Sequence, residues 1–277
     1  MKIAVASGKG GTGKTTISCA LANAAQGEVT LLDCDVEEPN SRFFIHPVIE
    51  EERPTYNLVP TVDPEKCTGC GECGRVCQFS AITSLGKVVM VFNELCHSCG
   101  ACARICPAGA IEETPRATGS ILSGRSGNIR FISGCLNVGE AMAPPVIRET
   151  LKQATESGLN IVDCPPGTSC PYVTAVKACD AALLVTEPTP FGLHDLKLAV
   201  ETIRELGVPF GVAVNRVTDE HNVISAYCCG EGIPLLLQVP ESRRVAEAYS
   251  RGEPINTVMP ELNEALRAIP GKLEALI

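Results

Sequence analysis

The sequence predicts an α/β protein with a mostly parallel sheet and helices on both faces, into which a small α+β domain is inserted. Short apolar runs alternate with helix-length segments along most of the chain, as they do in covered parallel sheets. With 45% hydrophobic and 20% charged residues, the chain can build a large core and is not intrinsically disordered. Between Val59 and Pro115 this pattern stops, and cysteines recur at a fixed spacing.

The elements of the sheet domain follow from hydrophobic periodicity. A buried strand is predicted from Lys2 to Ser7, then a glycine-rich turn, then a helix over 14–25 with Ile17, Leu21 and Ala24 on one face. A hairpin is expected within 117–131, and a final helix over 261–277 that is interrupted at Pro270-Gly271. Further strands are predicted at 29–33, 160–163, 181–186, 210–215 and 233–239, and further helices at 195–206 and 243–251.

The inserted domain is an internal repeat. The sequence repeats with an offset of 29 residues. Ala81-Ile82 recurs as Ala110-Ile111, and the cysteines at 67, 70, 73 and 77 recur at 96, 99, 102 and 106. Such a repeat indicates one small unit used twice around a pseudo-twofold axis. Because proline interrupts helices and ladders, Pro54, Pro60, Pro64 and Pro115 mark its boundaries. We therefore predict a main domain at 1–59 and 115–277 and an inserted domain at 60–114.

Composition limits the classes of function. The net charge of −9 argues against broad binding to nucleic acid or to anionic membranes. No run of about 18 apolar residues occurs, and the first apolar strand leads directly into glycine-rich sequence. We therefore expect a cytoplasmic protein that binds neither nucleic acid nor membrane. In that compartment, the 16 cysteines indicate metal ligands better than disulfides.

The turn after the first strand carries a phosphate-binding motif. The run GKGGTGKTT satisfies G-x-x-x-x-G-K-[ST] between a predicted strand and a predicted helix. Its glycines let the backbone approach a phosphate, Lys14 reaches the β- and γ-phosphates, and Thr15 holds Mg²⁺. ATP or ADP with Mg²⁺ is the expected ligand. The residues expected to bind it are Gly8, Lys9, Gly10, Gly11, Thr12, Gly13, Lys14, Thr15 and Thr16.

This run resembles the deviant Walker A loop of the MinD/ParA/Mrp/nitrogenase-iron-protein superfamily of P-loop ATPases. In that superfamily the early lysine, here Lys9, crosses a dimer interface to the partner's nucleotide. The resemblance implies a P-loop ATPase fold outside the insertion and a nucleotide-dependent homodimer, or a heterodimer with a paralogue. Lys9 and Lys14 would then both be catalytic.

Two further segments match the switches of that superfamily. LLDCD at 31–35 resembles the first switch, in which Asp35 orients the attacking water or the Mg²⁺ shell. IVDCPPGT at 161–168 resembles the second, in which Asp163 contacts Mg²⁺ through water and the loop senses the γ-phosphate. The alternative is that each aspartate only caps a loop. The resemblance also implies adenine contacts from Asn215 and Arg216 and from Pro240 and Glu241, although Asn215 could be a plain turn residue.

The cysteines of the insertion follow the bacterial ferredoxin spacing twice. Each C-x2-C-x2-C-x3-C run gives three thiolates to one [4Fe–4S] cluster and its fourth to the other, and the spacing favours iron–sulfur over zinc, the alternative. The second cysteine run is followed by proline, as in bacterial ferredoxins. One cluster is expected on Cys67, Cys70, Cys73 and Cys106, and the other on Cys96, Cys99, Cys102 and Cys77.

Other cysteines leave alternatives open. Cys135 and Cys170 resemble the two positions by which each nitrogenase-iron-protein subunit holds half of a cluster shared across its dimer. They therefore suggest a third, bridging [4Fe–4S] cluster, against the commoner fate of an unliganded cysteine. Cys228 and Cys229 form a vicinal pair that could be structural or an accessory metal site.

Together the modules predict an iron–sulfur ATPase. A nucleotide-driven dimer switch would control the transfer of electrons, or of a cluster, to a metalloprotein acceptor. A scaffold or carrier ATPase for the assembly of iron–sulfur or heterometal clusters is the second hypothesis. A ParA/MinD-like positioning ATPase with a redox-sensing ferredoxin domain is the third, and the acidic net charge weighs against it.

Overall fold

The computed structural model describes residues 1–218 and 223–277. The chain divides into two compact units. Unit 1 comprises Met1–Arg53, Ile121–Cys135 and Ile147–Ile277. Unit 2 comprises Pro54–Ser120 and Leu136–Val146. All eight cysteines of the two runs therefore lie in unit 2, and the glycine-rich loop lies in unit 1.

Strands and helices alternate along most of the described residues. The strands are β1 (Lys2–Ala6), β2 (Val29–Asp33), β3 (Val48–Val62), β4 (Ile82–Leu85), β5 (Val88–Val91), β6 (Ile111–Ser126), β7 (Ile129–Leu136), β8 (Leu159–Asp163), β9 (Ala181–Thr186), β10 (Phe210–Val217) and β11 (Leu235–Pro240). The helices are α1 (Lys14–Ala24), α2 (Arg42–Ile45), α3 (Glu72–Val76), α4 (Ala101–Ile105), α5 (Ala143–Leu151), α6 (Cys170–Val176), α7 (Pro190–Leu206), α8 (Val223–Glu231), α9 (Arg243–Ser250), α10 (Ile255–Val258) and α11 (Leu262–Glu274), with a short 3₁₀ helix at Asn93–Leu95.

The main sheet has the strand order β11-β10-β9-β1-β8-β2-β7-β6-β3. The neighbouring pairs from β11 to β7 are parallel, so the predicted mostly parallel α/β sheet is confirmed. Asp33 of β2 lies opposite Asp163 of β8 on one side and Ser133 of β7 on the other. Because parallel strands end at the same edge, the ends of β1, β2, β8 and β10 face one crevice, where open α/β sheets bind ligands.

Helix α1 packs its apolar face on the sheet. Ile17, Leu21 and Ala24 are at most 4% exposed and belong to one core cluster with residues of β1 and β2. Burying such side chains supplies most of the stability of an amphipathic helix, each contributing about 1.5–3 kcal/mol when fully buried. This packing fixes the direction in which α1 leaves the glycine-rich loop.

The predicted interruption of the last helix at Pro270-Gly271 is wrong. Helix α11 runs without a break through Pro270. Leu266, Ile269 and Leu273 recur at helical spacing and are all but fully buried. Continuing the helix keeps this apolar face in the core, which offsets the roughly 3 kcal/mol that an interior proline costs.

Several prolines lie inside long strands. Pro54 and Pro60 belong to β3, which is the edge strand of the sheet, where a missing N–H is tolerated. Pro115 lies in β6. β6 and β7 are neighbours joined by Gly127 and Asn128, a two-residue connection of the hairpin type that the sequence predicted.

Unit 2 has its own small core and shows the repeat in its elements. The helices α3 and α4 begin at residues 72 and 101, 29 residues apart like the cysteines. β4 and β5 pair antiparallel, with Ile82 opposite Val91. Cys73, Ile82 and Ile111 form the buried cluster of this unit. The arrangement is α+β, while its description as a ferredoxin-like domain stays a prediction.

None of the helices in the described part of the chain combines the length and the apolar character needed to span a lipid bilayer.

Candidate functional site

The loop between β1 and α1 has the backbone of a phosphate cradle. Gly11 and Gly13 have φ values of 79° and 96°, which glycine adopts without strain. A Cβ on Gly13 would lie 2.3 Å from Nδ2 of Asn215, and one on Gly8 would lie 2.1 Å from the carbonyl oxygen of Asp195. These glycines are therefore required by close contacts with β10 and α7.

The first turn of α1 is suited to an anion. Gly13 precedes the helix, and no side chain in the described part of the chain caps it, so its amide donors are available to a ligand. Lys14 is only 6% exposed at the start of the same helix. Burial raises the pKa of Asp35 and of Asp163, and the positive charge of Lys14 opposes the shift in both. Lys14 is therefore near enough to both carboxylates for its charge to act on them.

Asp163, at the end of β8, is fully buried among hydroxyl donors. Ser18 Oγ donates to its Oδ1 at 3.1 Å, and Ser41 Oγ donates to its Oδ2 at 3.1 Å. The hydroxyl of Thr15 is a further donor. Burial raises the pKa of Asp163, and these hydrogen bonds lower it. The surroundings thus partly compensate a buried negative charge.

Asp33 and Asp35, at the end of β2, complete a cluster of three carboxyl groups. Asp33 accepts hydrogen bonds from the backbone N–H of Ser41 at 3.0 Å and of Asp35 at 3.2 Å. Burial, and then the charge of Asp163, raises the pKa of Asp33 well above its usual value. The same causes raise the pKa of Asp35 to about 7. Carboxylates with raised pKa values at one place suit a divalent cation, which would favour their charged forms.

Lys9 forms an ion pair that the sequence did not indicate. Its Nζ lies 3.7 Å from Oε2 of Glu187, the residue after β9. Nη1 of Arg216 donates to Oε1 of the same carboxylate at 2.6 Å. Glu187 is 14% exposed, so the two cations meet on one largely buried carboxylate beside the loop.

A cleft at the carboxyl ends of the strands brings together most of the residues predicted to bind nucleotide. Gly8, Lys9, Thr12 and Asp163 are not on its walls. The Oδ1 atom of Asn40, on the cleft wall, is buried with no hydrogen-bond partner among the described residues. The predicted residues that line the cleft are Gly10, Gly11, Gly13, Lys14, Thr15, Thr16, Asp35, Asn215, Arg216, Pro240 and Glu241.

Asn215 also has a structural role in the cleft. Its Nδ2 donates to the carbonyl oxygen of Thr12 at 3.0 Å, and its Oδ1 accepts from the backbone N–H of Arg216 at 3.0 Å. The side chain thereby ties the end of β10 to the glycine-rich loop. One N–H of the amide remains for a ligand, so its predicted contact with adenine stays a prediction.

The cysteine runs do not form a site for a single metal ion. Over residues 1–218 and 223–277, no three His, Cys, Asp or Glu side chains converge closely enough to hold one metal ion. A mononuclear zinc site needs such convergence, with Zn–S distances of about 2.3 Å. An iron–sulfur cluster instead takes its thiolates on separate iron atoms. The arrangement of the thiols is therefore unsuited to a mononuclear zinc site. The thiols lie instead around cavities large enough to separate them.

The eight thiols group into two sets of four around two cavities of unit 2. The first cavity is lined by one set and by apolar Val62, Val89 and Ile111. The second is lined by the other set and by Pro60 and Ile82. Each set has three cysteines of one run and the fourth cysteine of the other run. The first cavity has Cys67, Cys70, Cys73 and Cys106, and the second has Cys77, Cys96, Cys99 and Cys102.

These donor sets fit [4Fe–4S] clusters. Four soft thiolate donors per cavity in a largely apolar wall match the ligands that such a cluster takes. Backbone N–H groups are directed at two of the sulfurs, from Ser98 to Cys96 at 3.5 Å and from Ala110 to Cys106 at 3.3 Å. The spacing of the cysteines in the sequence predicted the same two sets.

The other four candidate cysteines, Cys135, Cys170, Cys228 and Cys229, are not part of a metal site among the described residues. Cys135 is half-buried near the end of β7, and Cys170 is exposed at the start of α6. Both lie in unit 1, and Cys135 is two residues beyond Ser133, which pairs with Asp33. Cys228 is buried and Cys229 is exposed on α8. No described group of metal-binding side chains includes any of the four.

Sequence reasoning missed Ser18, Ser41 and Glu187. Ser18 was detectable in principle, because it is a polar residue four positions after Lys14 on the buried part of a predicted helix. Ser41 and Glu187 carry no local signal, since their contacts with Asp163 and Lys9 join residues far apart in the chain.

A glycine cradle, a buried lysine and carboxylates at the ends of parallel strands define a P-loop nucleotide-binding protein. Residues 3–255 match the family model for the CobQ/CobB/MinD/ParA nucleotide binding domain, and the chain belongs to that family. It is an ATP-binding ATPase of the MinD/ParA type.

Individual relatives agree with this assignment. The chain is 31% identical over 260 residues to an uncharacterized protein of Methanocaldococcus jannaschii, covering 91% of this chain and 90% of the relative. It is 26% identical to the iron–sulfur cluster carrier protein of Aquifex aeolicus, over 91% of this chain and 61% of the relative. The fold is similar to the septum site-determining protein MinD of Pyrococcus horikoshii complexed with Mg-ADP, with a TM-score of 0.59, 20% identity and coverage of 99% and 96% of the two chains.

Proposed function

We propose that the protein is an iron–sulfur ATPase in which ATP binding and hydrolysis control the transfer of electrons from two [4Fe–4S] clusters to a metalloprotein partner. The observation that carries the proposal is the sorting of eight thiols into two sets of four, each around its own cavity. Binding and hydrolysis of a nucleotide do not require cavities lined by four cysteines, so these cavities indicate a second task. Clusters of this kind supply one-electron chemistry at low potential.

On the nucleotide side, the residues have separate tasks. Lys14 and the amides of the α1 start bind the β- and γ-phosphates. Thr15 and Asp163 hold Mg²⁺, with the hydroxyls of Ser18 and Ser41 orienting the carboxylate of Asp163. Asp35 orients the attacking water. Its position two residues after Asp33, which is in register with Asp163, supports this role.

We further propose that ATP joins two copies of the chain, or this chain and a paralogue. Lys9 of one subunit would contact the nucleotide of the other, as the resemblance of its loop to the deviant Walker A loop implies. The ion pair of Lys9 with Glu187 leaves the lysine side chain 33% exposed at the side of the loop. Dimer formation would then exchange this pair for contacts with phosphate, so the energy of ATP binding would be coupled to subunit docking.

The test compares the wild type with Lys14→Ala under anaerobic conditions. The protein is reduced chemically, and the reduction of oxidised cytochrome c is followed with and without Mg-ATP. We expect Mg-ATP to change the rate at least several-fold in the wild type and to have no effect in the variant. The ferredoxin-type signals in electron paramagnetic resonance should be the same in both. Equal responses of the two proteins to ATP would refute the proposed control of electron transfer by ATP.

A matched control is Lys152→Ala, which removes an exposed lysine of the same unit. This variant should respond to ATP like the wild type. A wild-type protein with far fewer than about eight irons per chain after reconstitution would contradict the proposed clusters, since two four-iron clusters are expected.

Delivery of a cluster to another protein is the second candidate. The similarity to the iron–sulfur cluster carrier protein of Aquifex aeolicus favours it. Cys135 and Cys170 would hold the transferable cluster between two subunits. In that case apo-ferredoxin incubated with the loaded protein should gain a cluster, and Cys135→Ser with Cys170→Ser should stop the transfer without loss of the clusters of unit 2.

A further inference from the structure

The internal repeat allows the walls of the two cavities to be compared position by position. Residues 29 apart take equivalent places, as the helix starts at residues 72 and 101 illustrate. Four equivalent pairs on the cavity walls differ in chemistry, and one of them is Glu72 in the first cavity against Ala101 in the second. The second cavity has His97, Glu113 and Phe79 where the first has Thr68, Ser84 and Ala108.

The backbone hydrogen bonds to sulfur, which influence a cluster's reduction potential, are balanced between the two sites. In each site a backbone amide donates to a cysteine sulfur, Ala110 N–H to Cys106 in the first and Ser98 N–H to Cys96 in the second. Each set also contains one exposed cysteine, Cys70 or Cys99. Cys73 of the first set is buried where its equivalent Cys102 is half-buried, so the exposure of the thiols differs there. The charge of the walls is the larger difference between the sites.

The charges on the two walls are neutralised differently. Glu72 lines the first cavity, and Arg75 binds its carboxylate with two N–H donors. Glu113 lines the second cavity, and no cation of the part of the chain that the structure describes pairs with it within 4.0 Å. Arg104 takes the position of Arg75 in the second half, and none of the ion pairs found among the described residues joins it to Glu113.

The carboxylate of Glu113 is close to the segment that carries the thiols. Its Oε2 lies 3.2 Å from the place where a Cβ on Gly100 would stand, and Gly100 follows Cys99 on the same cavity wall. The equivalent residue of the first cavity, Ser84, is uncharged and donates its hydroxyl to the carbonyl oxygen of Gly86 at 2.8 Å.

The second cavity also has an aromatic pair on its wall. The rings of Phe79 and His97 are stacked, with centroids 3.6 Å apart and an interplanar angle of 10°. At the equivalent place, the first cavity has the smaller side chains of Ala108 and Thr68. Reduction adds a negative charge to a site that already carries thiolate charges. A nearby carboxylate without a neutralising cation disfavours that step.

We infer that Glu113 makes the two cluster sites inequivalent, with the second site at the lower reduction potential. This inference rests on the proposed function, because it takes both clusters as present. A chain that carries a single electron then holds it at the first site, on Cys67, Cys70, Cys73 and Cys106. The cluster on Cys77, Cys96, Cys99 and Cys102 is reduced second and is the stronger donor to an acceptor.

The experiment is a redox titration of the reconstituted full-length protein, followed by electron paramagnetic resonance at the same pH for every variant. The wild type should show two separate midpoint potentials. Glu113→Gln removes the charge and keeps the shape, and it should raise the lower midpoint and leave the higher one unchanged. Ser84→Glu, the reciprocal change, should lower the higher midpoint.

Glu112→Gln is the matched control. Glu112 is an exposed glutamate of the same strand that lines neither cavity, so its loss should move neither midpoint. Iron and sulfide are counted in every sample. Unchanged midpoints in Glu113→Gln with all irons retained would overturn the inference, as would a shift of the higher midpoint. If the wild type itself lacked about eight irons, the proposed function would fail instead.

Discussion

Glu187 is the residue that holds Lys9 beside the glycine-rich loop. It binds both Lys9 and Arg216, so the ammonium group has to leave this carboxylate before it can contact a second nucleotide. A partly exposed pair of this kind contributes about 0.2–1 kcal/mol. The pair therefore sets a small barrier to the dimerisation that we propose.

Glu187→Gln should lower this barrier. Because the neutral amide binds Lys9 less strongly, we expect half-maximal dimer formation at an ATP concentration up to about fivefold lower than in the wild type. Analytical ultracentrifugation across an ATP series measures it. Glu231→Gln, which breaks a similar pair with Arg204 far from the loop, should leave the ATP requirement unchanged. An unchanged requirement in Glu187→Gln would mean that Lys9 does not leave Glu187 on dimerisation.

The carboxyl groups at the strand ends predict a dependence of stability on pH. Burial raises the pKa of Asp33 and of Asp163, and it raises the pKa of Asp35 from 3.8 to about 7. A folded-state pKa above the unfolded value means that the folded protein binds protons more tightly. The resulting stability is fully present below the unfolded pKa and is lost as the pH rises through the folded one.

Without Mg²⁺, the melting temperature should therefore fall between about pH 5 and 8. Mg-ADP should stabilise the protein more at the upper end of this range, since a divalent cation favours ionised carboxylates. Differential scanning fluorimetry with and without Mg-ADP measures both trends. Asp35→Asn should flatten the curve recorded without Mg²⁺. A curve as steep in this variant as in the wild type would show that Asp35 does not titrate in this range.

At the scale of the elements, Ser41 joins the ends of β2 and β8. It lies just before α2, and its backbone N–H donates to Asp33 of β2 while its hydroxyl donates to Asp163 of β8. The side chain is fully buried. One residue thus connects the segment that follows β2 to the carboxylate at the end of β8.

Ser41→Ala should weaken this connection without disturbing the backbone bond to Asp33. Losing a donor to a buried carboxylate should lower the free energy of unfolding by about 1–3 kcal/mol, as measured in urea. It should also raise the Mg²⁺ concentration needed for ATP hydrolysis, because the hydroxyl bond lowers the pKa of Asp163. Ser250→Ala removes an exposed hydroxyl bonded to a carbonyl oxygen, and it should change neither quantity. A Mg²⁺ requirement unaffected by Ser41→Ala would leave Ser41 a purely structural role.

Local sequence signals predicted the elements that depend on local interactions. The strand at Val29–Asp33 and the start of α1 at Lys14 were predicted at the right residues because apolar runs and glycines define them. The break at Pro270 was wrongly predicted, since the burial of Ile269 and Leu273 is a tertiary effect. For the same reason the contacts of Ser41 were not predictable from its neighbours in sequence.

At the scale of the whole molecule, the proposal combines a nucleotide switch with cysteine-lined cavities in one chain. The ends of β2, β8 and β7 lie side by side, with Asp33 opposite both Asp163 and Ser133. β7 continues from Ser133 to Cys135, and α6 starts at Cys170, seven residues after Asp163. Cys170 thus follows the strand that ends at Asp163, and Cys135 lies within β7, beside the strand that ends at Asp33.

The Cys135→Ser, Cys170→Ser double variant tests whether these two residues hold a cluster between subunits. The wild type with Mg-ATP should bind more than about eight irons per chain, and the variant should retain about eight, because the clusters of unit 2 have other ligands. Anaerobic iron and sulfide analysis measures this, together with the mass of the complex in solution. Cys229→Ser, which removes an exposed cysteine on α8, should keep the wild-type iron content. Equal iron in the wild type and the double variant would limit the protein to two clusters per chain, and the nucleotide would then have to act on those clusters without a bridging one.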